Sequence, residues 1–116
     1  MAFEYAVKNE SGYDIIYMKG NLMEKHEAQA MMEEIGEMIG QGQNKFLLHL
    51  KDLKYMNSSG IGILISILTK ARNAGGEVAV TGLSSKMNQL LVVTKLNSVF
   101  KITESIKEAA HMLIKI

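Results

Sequence analysis

The sequence contains neither cysteine nor proline. Without cysteine there are no disulfides and no thiolate chemistry, which fits a reducing compartment, and the expected location is the cytoplasm. For the missing proline in 116 residues we have no physical account. Charge of one sign is also lacking: the formal net charge is +1, so no strong field draws nucleic acid, a membrane surface or an acidic substrate. The start, Met1-Ala-Phe-Glu-Tyr5, has no basic or apolar region of signal-peptide type. The longest apolar stretch, around Ile61–Leu68, is far too short to span a bilayer. No Walker Gly-Lys-Ser/Thr is present, and Gly60-Ile-Gly62 lacks the third glycine of a dinucleotide fingerprint. His26, His49 and His111 are scattered without ligand spacing. No cofactor and no metal is expected.

What is present suits one soluble globular domain over residues 1–116, with 47% hydrophobic and 22% charged residues. A chain of this length buries roughly two-thirds of its unfolded surface, enough for one core. Met31, Met32 and Met38 lie at core spacing and read as filler rather than as a binding surface.

Along the chain, Glu4–Asn9 and Tyr13–Lys19 alternate weakly around Ser11-Gly12 and predict a hairpin. Asn21 with Glu24 three residues on has the pattern of a capping box. It opens a helix over Met23–Ile39 whose stripe is Ala28, Met31, Met32, Ile35, Met38 and Ile39. Lys45–Leu50 is nearly continuously apolar and suits a strand covered on both faces. Gly60–Ala74 is a second helix, apolar over a broad arc, with a narrow strip of small and polar residues that includes Gly62, Ser66 and Thr69. Glu77–Thr81 is a strand, Ser84–Thr94 a helix and Val99–Ile102 a short last strand. Ser105 with Glu108 caps a final helix striped by Ile106, Ala109, Ala110 and Leu113. The order β-β-α-β-α-β-α-β-α predicts an α/β fold with a mostly parallel sheet, right-handed crossovers and an N-terminal antiparallel hairpin at an edge.

The stretch Lys54-Tyr-Met-Asn-Ser-Ser-Gly-Ile-Gly62 joins the third strand to the second helix. Such a connection aims free backbone N–H groups and the positive end of the helix dipole at one point. Either Ser58 or Ser59 can cap that helix, and Gly60 and Gly62 keep its approach open. A hydrolase triad of His49, Asp52 and Ser58 is disfavoured, because Met56 and Asn57 stand where a nucleophile elbow needs glycine; His49 reads as a strand histidine. Ser58 can instead accept a phosphate from a kinase partner. That adds about −1.5 to −2 charges where the helix dipole tolerates them and where a docked protein is repelled. From the residues alone, a capping serine and a phosphate acceptor both stand.

Leu53-Lys-Tyr-Met-Asn-Ser-Ser-Gly-Ile-Gly62 after an apolar strand resembles the STAS domain family, whose best-known members are bacterial anti-sigma-factor antagonists. Gly20, Ala74-Gly-Gly-Glu77, Gly82-Leu-Ser84, Thr94-Lys-Leu-Asn97, Val99-Phe100 and Ile102–Ala110 also match its habit. The resemblance implies a non-enzymatic regulator of transcription. Its serine, here Ser58 (with Ser59 the alternative), is phosphorylated by an anti-sigma factor that is itself a serine kinase, and reset by a phosphatase. The unphosphorylated form binds the anti-sigma factor and frees a sigma factor. The implied contact surface comprises Gly20, Asn21, Asn57, Ser58, Ser59, Gly60, Gly62, Ser66 and Thr69. The alternative is a constitutive STAS interaction subunit of a signalling scaffold or transport complex, without phosphorylation. The sequence departs from the family pattern at Asn57, where Asp is usual, and at His49 and Lys51, where acidic and small residues are usual.

Overall fold

A computed structural model describes residues 2–115. Its elements are β1 (Glu4–Asn9), β2 (Asp14–Leu22), a 3-10 turn (Lys25–Ala28), α1 (Gln29–Gly40), β3 (Lys45–Met56), α2 (Ser58–Asn73), β4 (Glu77–Thr81), α3 (Ser85–Val93), β5 (Lys101–Ile102) and α4 (Ile106–Ile114). The sheet order is β1-β2-β3-β4-β5. β1 pairs antiparallel with β2, from Glu4 opposite Lys19 to Asn9 opposite Asp14. All other pairings are parallel.

This order decides where the helices go. Each of the three crossovers steps to the next strand in the same direction, and right-handed crossovers taken in one direction stack their helices on one face. Accordingly Ile16, Met18, Phe46, Leu48, Leu50, Val78 and Val80 of the sheet share the main core with Met31 and Ile35 of α1, Leu64 and Ile67 of α2 and Met87 of α3. Alternate strand residues point the other way. Ile15, Leu47 and Ala79 face that side, and α4 covers them with Ala109 and Leu113. The near-continuous apolar run of β3 is therefore buried on both faces, as its composition predicts.

Several boundaries differ from the sequence pattern, most for a local reason. Apolar alternation stops at Leu50, yet β3 runs on to Met56. Its pairing with β2 slips twice, between Tyr17 and Lys19 and between Gly20 and Asn21. Each slip places an extra residue in β3, so Leu50, Leu53 and Met56 all point into the main core at a spacing of three. β2 likewise continues to Leu22. Gly20, at φ 87, supplies the left-handed conformation of the second irregularity. Asn21 is thus a strand residue opposite Tyr55 rather than a helix cap. Glu24 takes the cap position of the 3-10 turn, and the Glu27 carboxylate accepts from the amides of Met23 at 3.1 Å and Glu24 at 3.0 Å. The predicted helix over Met23–Ile39 is therefore an extended exit, a 3-10 turn and then α1. The last strand is shorter than the pattern suggests, holding only Lys101 and Ile102.

Candidate functional site

The site forms where β2 and β3 end together and α2 begins. Neither serine is the cap. Asn57 occupies that position in extended conformation, and its Oδ1 accepts from the Gly60 amide at 3.1 Å. Its Nδ2 donates to the Met23 carbonyl at 3.0 Å. One side chain thus satisfies a helix N–H and a carbonyl beyond the end of β2, tying the two elements together. With the cap supplied by Asn57, Ser58 and Ser59 become the first two residues of α2. Among the described residues no hydrogen bond holds either hydroxyl. Ser58 is exposed, and Ser59 half-buried.

The predicted contact residues separate into two groups. Ser58, Gly62, Ser66 and Thr69 follow one another at spacings of four, four and three along one face of α2. Ser58, Gly62 and Thr69 are exposed and Ser66 is half-buried. The row extends roughly 16 Å from the helix tip at 1.5 Å per residue. Asn21 and Asn57, both half-buried, lie beside the tip. Gly20 and Gly60, by contrast, are buried. A Cβ on Gly60 would meet the Met56 side chain and come within 2.5 Å of the Leu22 carbonyl oxygen. Gly60 serves close packing under the site and Gly20 the left-handed bend of β2, rather than contact at its surface, which corrects their expected place on it.

His49, Asp52 and Ser58 are not brought together. His49 stacks at a tilt on Tyr17, with ring centroids 5.0 Å apart, and Tyr17 packs with the α4 layer. Ser58 opens a helix on the opposite face. Asp52 is exposed, opposite Lys19. No hydroxyl–imidazole–carboxylate relay exists here. Among the described residues no three His, Cys, Asp or Glu side chains converge to hold a metal ion, and no helix is long and apolar enough to cross a membrane.

An exposed, untethered serine at the tip of a buried helix, above a strand–helix junction closed by glycine, is the geometry on which a comparison with known proteins turns. The profile of the STAS domain matches residues 5–109. The chain belongs to the STAS domain family. A Thermotoga neapolitana protein provisionally named an anti-sigma factor antagonist is 32% identical over 73 residues, which cover 63% of this chain and 65% of that protein. The chain thus spans just under two-thirds of that relative's length in the match. The anti-sigma F factor antagonist of Paenibacillus polymyxa is 26% identical over 106 residues, 90% of each chain. The structure of the Bacillus cell fate determinant SpoIIAA in its phosphorylated form superposes with a TM-score of 0.73 at 18% identity, covering 92% of this chain and 96% of that one. At that identity the superposition shows a shared fold.

Within this STAS domain the Asn57 departure acquires a structural meaning. An aspartate could accept from the Gly60 amide but could not donate to the Met23 carbonyl. The amide is the side chain that satisfies both groups. The sequence pattern points to a serine cap and misses Asn57, because Asn and Ser rank alike as caps and the Met23 carbonyl lies 34 positions away.

Proposed function

We propose that this STAS domain is an anti-sigma-factor antagonist acting in a bacterial cytoplasm, switched by phosphorylation of Ser58. The observation that carries the reading is the state of Ser58: it is exposed, its hydroxyl has no hydrogen bond among the described residues, and it is set at the amide-rich tip of α2 in line with Gly62, Ser66 and Thr69. Unphosphorylated, that low-relief row lets an anti-sigma factor approach α2 closely. The anti-sigma factor is thereby occupied and its sigma factor released. A phosphoryl group on Ser58 Oγ adds about −1.5 to −2 charges and three acceptor oxygens. The tip of α2 tolerates this charge, so the domain stays folded while the bound protein meets bulk and repulsion. The names of the relatives support the antagonist role. Kinase and phosphatase enter as the partners that write and erase the mark. Ser58 is favoured over Ser59 because it is the more exposed of the two.

Pull-downs of the anti-sigma factor with Ser58→Ala and Ser58→Asp, alongside mass spectrometry of the protein from its own cells, test the reading. Ser58→Ala should retain the partner and Ser58→Asp should lose it, with a phosphatase-sensitive phosphate mapped to Ser58. Equal recovery by both variants, without phosphate at Ser58, would instead assign a constitutive interaction subunit.

A further inference from the structure

Beside the Ser58 tip a groove of about 300 Å³ runs between the end of β3 and α3. Its apolar wall is Tyr55, Met56, Met87, Leu90 and Val93. Met87, 5% exposed, is its floor, and Leu90 and Val93 follow it along α3 at intervals of three, in the manner of a ridge that packs against another helix. Four large hydrophobic residues stand out as exposed among the described residues. Two of them line the groove: Tyr55 at 44% and Val93 at 79%.

The charge of the groove is one-sided. Lys54 and Lys86 stand at its rim, its other polar lining residues, Ser84 and Gln89, are neutral, and no carboxylate lines it. Neither lysine takes part in an ion pair among the described residues. Lys86 lies in the first turn of α3, where a cation opposes the helix dipole. Its ammonium rests over the Tyr55 ring, 5.8 Å from the centroid. Two cations without an acidic partner, one of them placed against the dipole beside exposed apolar surface, complement an acidic, amphipathic surface elsewhere. Met56 both lines this groove and stands two residues before Ser58, so groove and serine tip share the end of β3.

We propose that the groove docks an acidic amphipathic helix of the protein partner. Its apolar side lies on Tyr55, Leu90 and Val93, and its carboxylates reach Lys54 and Lys86. The inference rests on the reading of the Ser58 surface as a partner-binding surface, to which it adds a second anchor beside the serine tip. Two labelled peptides of about 16 residues, roughly four helical turns, test it. They share one leucine stripe, with glutamate at the polar positions of one and lysine at those of the other. Titrated into the intact protein, the glutamate peptide should shift the backbone amide resonances of Tyr55, Lys86, Leu90 and Val93, and bind less well as salt rises. Lys86→Glu and, separately, Val93→Asp should each weaken it by about fivefold or more, and the Lys54→Glu/Lys86→Glu pair should transfer preference to the lysine peptide. The peptide titration reads the groove alone and the Ser58 pull-downs read the switch alone, so failure of the groove and failure of the serine switch are distinguishable. Equal affinity for both peptides, or shifts confined to other surfaces, would overturn the proposal. So would a concentration-dependent dimer abolished by Val93→Asp, which would give the groove to a second copy of this chain.

Discussion

Gly60 and Gly62 are two residues apart in the same helix, and substitution by alanine should move stability in opposite directions. At Gly60 the new Cβ would sit 2.5 Å from the Leu22 carbonyl oxygen and would also strike the Met56 side chain. The Met56 side chain can rotate, but the Leu22 carbonyl belongs to the backbone of β2 and cannot. The tip of α2 must therefore move outward by about 1 Å to reach ordinary contact, with overpacking strain of about 1–3 kcal/mol. The better helix propensity of alanine offsets at most about 1 kcal/mol of this. Gly60→Ala should lower stability by about 1–2 kcal/mol. A Cβ on Gly62 meets nothing within 4 Å, so Gly62→Ala should raise stability by about 0.8–1 kcal/mol through propensity alone. Urea unfolding followed by far-UV circular dichroism measures both. With a slope of about 1–3 kcal/mol per molar, the two midpoints should separate by roughly 1–2 M, wild type lying between them. Shifts of the same sign would refute the placement of α2 against β2, and with it the geometry that presents Ser58. Because Gly62 lies in the proposed contact row, Gly62→Ala also separates stability from binding: it should unfold later while holding the anti-sigma factor less well.

Asn57→Ala removes the cap and leaves the Gly60 amide and the Met23 carbonyl without this partner, so it should cost about 1–2 kcal/mol in the same unfolding assay; Asn57→Asp keeps the Gly60 bond and should cost less. Lys95 holds a left-handed conformation, φ 61, just beyond α3, so Lys95→Gly should stabilise by about 1 kcal/mol and raise the thermal midpoint by several degrees. The Tyr5 hydroxyl donates to the Glu34 carboxylate at 2.7 Å. That hydrogen bond first, then burial and the negative charge of Glu34, raise its pKa from 10.0 to about 12. A folded value above the unfolded one means this stabilisation is whole below pH 10 and fades as pH climbs through about 12. Burial also raises the pKa of Tyr13 above 10.0; in an ultraviolet titration of the phenolates Tyr5→Phe should remove the step at about 12 and its part of the alkaline loss of stability, leaving the raised step of Tyr13 in place.

Much of this fold is legible because its signals are local. Capping by Ser105, the stripe of α1 and the alternation in Glu77–Thr81 each depend on neighbours a few positions away, and the elements appear where those patterns lie. The order of elements then carries topology, since crossover handedness follows from chain chirality alone. Legibility fails at β3 beyond Leu50. There two pairing slips turn a spacing of two into a spacing of three, and Leu50, Leu53 and Met56 no longer read as a strand. At the site, the motif points to Ser58. Its neighbours in the motif do not reveal that Asn57, rather than a serine, closes the helix, nor that this leaves the serine hydroxyl untied.

The sequence by itself determined the alternation of strands and helices, the buried character of α2 and the position of the serine at the strand–helix junction. Each is set by periodicity and by residues within one helical turn. Tertiary structure alone decided which of two like glycines is packed and which is open, which atom answers the Asn57 amide, and that Tyr55 and Lys86 face each other across a groove. Those outcomes depend on separate elements meeting in space. The Leu22 carbonyl, the Met23 carbonyl and α3 reach the end of β3 only once the sheet has formed.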